Sequence, residues 1–196
     1  GLWKQIVDWC NDNDIVCNFE TEMNYFKYRK MPMSLEEFTD YVNSWGLSIE
    51  PRPYQYKAAW LILKYRISMS QLATRAGKTL IAYMVFRYML EHGAHNILMI
   101  VPNTTLVKQG VKDMSEYKEF FHTETVWSKG ELCESSNLTI GTFQSLIRKL
   151  DRKSQHYNPK FFNKFDVICC DECHTAKCKS IKTLLNQECM KNLKLR

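Results

Sequence analysis

Two short runs in this chain combine residue types that could do chemistry together. Ala76-Gly77-Lys78-Thr79 brings a residue without a side chain, an ammonium and a hydroxyl to the point where an apolar, strand-like run, Ile67 to Leu72, gives way to a helical pattern. A strand, loop and helix in that order aim backbone N–H groups and the positive end of a helix at one spot, which makes a cradle for phosphate. In such a cradle Lys78 would reach the terminal phosphates of a nucleotide, and the Thr79 hydroxyl would join the shell of a Mg2+ ion. The strict pattern opens on a glycine, and here Leu72 takes its place. The four residues taken alone also fit a plain tight turn into a helix. The second run, Asp166 to His174, is an apolar strand pattern ending in Asp171 and Glu172. Two carboxylates at the carboxyl end of a buried parallel strand can divide the work: Asp171 binds Mg2+, and Glu172 orients and deprotonates an attacking water. Two exposed acids at a strand end are the plainer reading of that run. Both runs in one chain, in this order, point to a nucleotide site.

The elements that must position these residues follow from periodicity. Ser34-Leu35-Glu36-Glu37 is a capping box opening a helix that Gly46 closes. Pro53 suits the first position of a helix running to about Tyr65. After Thr79, the spacing of Leu80, Ile81, Met84, Val85, Tyr88 and Met89 predicts a helix that packs on the sheet and ends near Gly93. Strands are predicted at Asn96 to Val101, around Thr125 to Trp127, and from Leu138 into Phe143-Gln144. Arg148 to Lys160 is polar and basic and reads as an exposed turn region. Ile181, Leu184 and Leu185 mark a further helix, and Leu193 to Arg196 the entry to another strand.

Ala73 to Thr79 resembles motif I, and Asp171-Glu172-Cys173-His174 resembles the motif II box, of superfamily 2 helicases and translocases. The similarity runs from Gly1-Leu2 through Arg52-Pro53-Tyr54-Gln55 to Lys179-Ser180-Ile181. It includes Ala76, where many relatives carry glycine, and is strongest to members that act on branched DNA in bacteriophage recombination, replication and repair. The resemblance implies an α/β fold: a RecA-like P-loop lobe over residues 49–196, with a mostly parallel sheet flanked by helices. A small, mostly helical accessory section would occupy residues 1–48. It implies ATP and Mg2+, with Lys78, Asp171 and Glu172 catalytic, Thr79 and Asp171 on the metal, and Thr74, Arg75, Ala76 and Gly77 around the nucleotide. Right-handed crossovers would then put motif I and motif II on neighbouring strands. Arg52 and Gln55 resemble the adenine-reading Q motif: an amide can pair with both a donor and an acceptor of the base edge, and a guanidinium can stack on the ring. Pro102, Thr104 and Thr105 resemble motif Ia, and Gly141-Thr142 a second motif that holds a nucleic-acid backbone phosphate. A helix cap is a compatible role for the two threonines. His174 would couple the nucleotide site to a following motif III. The family also has a longer N-terminal domain and a second RecA-like lobe carrying arginine fingers, so the chain is expected to be a fragment.

Composition bounds the alternatives. The chain has 196 residues, 45% hydrophobic, with a net charge of +6, enough for one α/β domain with an appendage and a mild bias toward polyanions. No run of apolar residues is long enough to span a membrane, and the protein is expected to be intracellular. Cys170 and Cys173 have zinc-ligand spacing and could be completed by Cys178 and Cys189; reduced thiols in an intracellular protein are the preferred reading. Trp3, Trp9, Tyr25 and Tyr28 with Lys27, Arg29 and Lys30 could grip nucleic acid, although aromatic residues at helical spacing are more often core. Residues 1 to about 13 read as a helix and Ile15 to Glu20 as a strand. The activity that follows is ATP-dependent unwinding or remodelling of nucleic acid. A restriction-type DNA translocase or an RNA-directed helicase of the same superfamily is the alternative. A non-catalytic nucleic-acid-binding module is the alternative from another class.

Overall fold

The structure, a computed structural model, describes residues 32–65, 68–126 and 136–172. Its elements are α1 (Leu35–Asn43), α2 (Pro53–Lys64), α3 (Lys78–Glu91), β1 (Ile97–Val101), α4 (Thr104–Tyr117), β2 (Thr123–Val126), β3 (Leu138–Thr142), α5 (Phe143–Arg148), a 3-10 turn (Pro159–Lys164) and β4 (Val167–Cys170). The four strands form one sheet in the order β2-β3-β1-β4, and every pairing is parallel.

The sheet is central because its inner strands, β1 and β3, are buried on both faces. β1 reads Ile-Leu-Met-Ile-Val with all five residues buried, as expected of a parallel strand covered on both sides. Side chains alternate across a strand, so Ile97, Met99 and Val101 join Leu138, Ile140 and Val167 in a core with α1 to α4. Leu98 and Ile100 face the opposite way, against Phe143, Leu146, Phe161, Phe162 and Phe165. Register aligns the carboxyl ends: Val101 lies opposite Thr142, and Ile100 opposite Cys170. The residues that follow β1, β3 and β4 therefore emerge along one edge.

The helix starts obey local chemistry. At α1 the Ser34 N–H donates to Glu37 Oε2 at 2.6 Å and the Glu37 N–H to Ser34 Oγ at 3.1 Å, closing the expected capping box. Phe38, Val42 and Trp45 then enter the same core as α2 and α3. The Arg87 guanidinium of α3 lies 4.5 Å from the Trp45 ring and 4.6 Å from Phe120, and Tyr41 donates to Glu91 at 2.7 Å.

Several expectations are corrected. Residues 68–72 form no strand: Met69, Ser70 and Gln71 are exposed, so the run has too little buried surface to hold a place in the sheet. Motifs I and II consequently do not sit on neighbouring strands among the described residues; the neighbour of β4 is β1. Phe143 and Gln144 belong to α5 rather than to a strand, because the Thr142 hydroxyl accepts from the Ser145 N–H at 3.3 Å and starts a helix there. The strand expected near Thr125 begins two residues earlier, at Thr123. The stretch from Arg148 to Lys160 is mostly exposed, as expected, and the 3-10 turn that begins at its end buries Phe161 and Phe162.

That turn is tied to the sheet by an ion pair whose carboxylate is buried and whose ammonium is half-buried. Glu124 of β2 is only 3% exposed. Its Oε2 accepts from Ser136 Oγ at 2.9 Å, Lys164 Nζ at 3.1 Å and Thr139 Oγ1 at 3.4 Å. Burial lowers the pKa of nearby Lys149, whose Nζ lies 4.5 Å from the Phe161 ring centroid. Removing the lysine leaves the buried Glu124 carboxylate with less compensation, so Lys164→Met should cost about 1–3 kcal/mol of stability. Glu124→Gln, which keeps an acceptor for the hydroxyls, should cost less. Urea unfolding of both variants decides this, and equal losses would show that charge pairing is not what holds the turn.

Candidate nucleotide site

Motif I folds as a turn that delivers α3. The Ala76 N–H donates to Ala73 O at 3.2 Å, and two residues take left-handed backbone conformations, Arg75 at φ +64° and Gly77 at φ +72°. Gly77 is the N-cap of α3 and has two reasons to be glycine: the positive φ, and a Cβ that would overlap the Gln55 amide nitrogen. No described residue accepts a hydrogen bond from the backbone N–H groups of Gly77, Lys78, Thr79 or Leu80. Unclaimed donors at a helix start are what an anion requires.

Motif II meets this loop through one contact. β4 ends where the Asp171 N–H donates to Ile100 O at 2.9 Å. The Glu172 N–H then turns back to Asp171 Oδ1 at 2.9 Å, with Glu172 at φ +49°, a backbone strain of the kind found at functional sites. This turn sends the Glu172 carboxylate to Lys78, Oε1 to Nζ 2.8 Å. The hydrogen bond to Glu172 raises the Lys78 pKa, so the ammonium is held charged. Burial raises the Asp171 pKa above the ordinary aspartate range, and the nearby Glu172 charge pushes it the same way. A half-buried carboxylate short of compensating charge suits a divalent cation, which would restore that charge. The donor set therefore fits Mg2+ with a nucleotide phosphate.

The other expected residues are placed as follows. Thr74 and Arg75 are exposed on the loop, and Ala76 is half-buried. The Thr79 hydroxyl lies near Asp113 and Tyr117 of α4; a hydroxyl can donate to one such neighbour and still offer a lone pair to a metal. Gln55 is 5% exposed with both ends of its amide engaged: Oε1 accepts from the Arg52 N–H at 2.7 Å, and Nε2 donates to Ala76 O at 2.9 Å. Arg52 is exposed beside it. Pro102 follows β1, and Asn103 caps α4 by accepting from the Leu106 N–H at 3.0 Å, which leaves Thr104 and Thr105 exposed with no capping duty. Gly141 and Thr142 are buried at the end of β3, the Thr142 hydroxyl serving α5. His174, Cys173, Cys178, Cys189 and the aromatic and basic residues before 32 lie outside the described residues. Cys169 and Cys170 are thiols, and no cluster of three or more metal-ligating side chains occurs among the described residues.

Sequence reasoning missed two participants. Asn103 was legible as an N-cap, since it precedes the helical pattern directly. Tyr54, whose hydroxyl donates to Ala76 O at 2.8 Å, gave no signal beyond standing next to Gln55.

A stability consequence follows from Asp171. A folded pKa above the unfolded one means that the native state binds the proton more tightly, so this group costs stability as pH rises from the ordinary aspartate pKa through the raised one. Asp171→Asn should therefore be more stable than the wild type at pH 7, with the advantage vanishing in acid where Asp171 is itself protonated. Thermal unfolding at both pH values measures it; a variant less stable at pH 7 would overturn the assignment.

Comparison with known proteins agrees with this geometry. A family model described as Type III restriction enzyme, res subunit, matches residues 48–195. The ATP-dependent DNA helicase uvsW of Enterobacteria phage T4 is 29% identical over 198 residues, covering 95% of this chain and 37% of that protein. The chain thus spans little more than a third of this curated relative. Two solved structures of bacteriophage T4 UvsW superpose with a TM-score of 0.77 at 25% identity, one covering 100% of this chain and 68% of its own, the other 99% and 39%. With the parallel sheet, the motif I loop and the motif II carboxylates in place, the family match over most of its length settles the affiliation: the chain belongs to the Type III restriction enzyme res subunit family of superfamily 2, with a RecA-like helicase fold.

Proposed function

We propose that this chain is the ATP-binding and ATP-hydrolysing lobe of a superfamily 2 helicase or translocase that remodels or unwinds branched DNA in phage recombination, replication and repair. The observation that carries the reading is the 2.8 Å contact between Lys78 and Glu172, which joins motif I to motif II at the carboxyl edge of the sheet. In this reading the ion pair is the resting arrangement. Lys78 exchanges the Glu172 carboxylate for the terminal phosphates of ATP, which offer more negative charge and more acceptor oxygens. Glu172, released, turns to a water and accepts its proton as the water attacks. Asp171 and Thr79 would hold Mg2+, which when bound neutralises charge on the transferring phosphoryl group. Thr74, Arg75, Ala76 and Gly77 frame the phosphates, and Arg52 and the remaining hydrogen-bonding capacity of Gln55 face the adenine.

Nucleic acid would meet the same edge. Thr104 and Thr105 stand exposed where α4 opens, Pro102 and Gly141-Thr142 flank them, and His174 would pass the state of the nucleotide onward. DNA is favoured because the matched phage protein is named a DNA helicase. A second RecA-like lobe of the same parent chain would supply arginines to the transition state, worth about 10³-fold or more in related enzymes. Residues 1–48 would form an accessory section beside the lobe at 49–196. No described helix is long and apolar enough to cross a membrane, and we place the protein inside the infected cell.

Steady-state ATP hydrolysis by the full-length parent protein tests this, first without nucleic acid, then with single-stranded DNA, a branched junction, linear duplex and RNA. Strongest stimulation by the junction is expected. Equal or stronger stimulation by linear duplex or RNA would instead favour a restriction-type translocase or an RNA-directed helicase. Glu172→Gln should keep ATP binding and lose about 10²- to 10⁴-fold in rate, the usual worth of a general base. Unchanged hydrolysis would remove Glu172 from that role. Lys78→Ala leaving every activity intact would reduce the protein to a nucleic-acid-binding module.

A further inference from the structure

The carbonyl of Ala76 is held by two side chains from one helix turn. Tyr54 Oη donates to it at 2.8 Å and Gln55 Nε2 at 2.9 Å, and Gln55 is fixed in turn by the Arg52 N–H on its Oε1 at 2.7 Å. Ala76 to Gly77 is a trans peptide, whose planarity makes its C=O and N–H point in opposite directions. Fixing the carbonyl toward α2 therefore turns the Gly77 N–H away from α2. That N–H and those of Lys78, Thr79 and Leu80 are the donors no described residue claims. A residue with a side chain at 77 would collide with the Gln55 amide, so loop and helix turn are fitted to each other.

We propose that Tyr54 is a positioning residue for phosphate: its hydroxyl, with the Gln55 amide, locks the Ala76-Gly77 peptide so that the phosphate-binding N–H groups are set before ligand arrives. The inference rests on the reading of this loop as a nucleotide-phosphate site. The Tyr54 ring is 40% exposed, so the hydroxyl is not there to satisfy a buried phenol. Its partner is a backbone carbonyl that a solvent-exposed loop could leave to water. Donors oriented beforehand spare the ordering cost on binding, and the gain falls at the phosphate end of the ligand, not at the base.

Tyr54→Phe separates these ends, since it keeps the ring and deletes only the hydroxyl. Affinities of wild type and variant are measured by calorimetry on the full chain for Mg·ATP and for Mg·tripolyphosphate, a ligand with no base or sugar. Unchanged thermal unfolding of the variant serves as the control for folding. The expected result is a loss of about three- to tenfold for both ligands by the same factor, the worth of one neutral hydrogen bond. Loss for ATP with tripolyphosphate unchanged would overturn the proposal in favour of a contact with the base. No loss for either ligand would overturn it outright. Failure of the wild type to bind either ligand would overturn the phosphate-site reading, and this proposal with it.

Discussion

Lys78 and Glu172 stand 94 positions apart in sequence and 2.8 Å apart in space, and a distance that short between side chains that far apart needs a rigid frame. The frame is the parallel sheet. β1 hydrogen-bonds to β4 over four register pairs, and the two-sided burial of β1 leaves no slack for a slip, since moving one residue would exchange the faces of every side chain. With that register set, Asp171 and Glu172 emerge beside the start of α3. The ion pair is then a consequence of the fold, and so is the field that holds Lys78 charged.

The site is built to be incomplete. A left-handed Glu172 and a left-handed Arg75 are costly conformations, the backbone donors at the start of α3 have no acceptor among the described residues, and Asp171 is held where its charge is poorly solvated. Each is a small loss to the protein alone. Each is of the sign that a bound phosphate and cation would reverse. Around this centre several polar groups are matched: Gln55 at both ends, Asn103 at the start of α4, Thr142 at the start of α5, Ser34 with Glu37 at the start of α1. Strain concentrated in two loops, with satisfied caps elsewhere, is how local rules fail at functional sites and hold outside them.

The two cores divide the labour. α1 to α4 cover one face of the sheet, and Trp45, Arg87 and Phe120 stack where α1 meets α3, so the helix that carries Lys78 is braced along its length. The other face is covered by α5 and the phenylalanines of the 3-10 turn, fastened at the β2 edge by Glu124 and Lys164.

The sequence by itself determined the periodic elements and the residue types of the site. The run Ile97 to Val101 read as a buried strand, the capping box at Ser34 and Glu37 is closed by neighbours three residues apart, and Ala76 to Thr79 with Asp171-Glu172 supplied the residue types of the proposed phosphate loop and its acids. These signals are local, so the sequence carries them whole. It failed where the outcome depends on partners far away. Residues 68–72 before the loop form no strand, Phe143 and Gln144 were claimed by a helix that the Thr142 hydroxyl starts, and Glu124 became a buried carboxylate where Ser136, Thr139 and Lys164 converge on it. Only the tertiary structure decided that Gln55 and Tyr54 would share one carbonyl of the loop, because whether two side chains meet the same acceptor 21 and 22 residues on depends on how α2 packs, and packing is a property of surfaces that no spacing encodes.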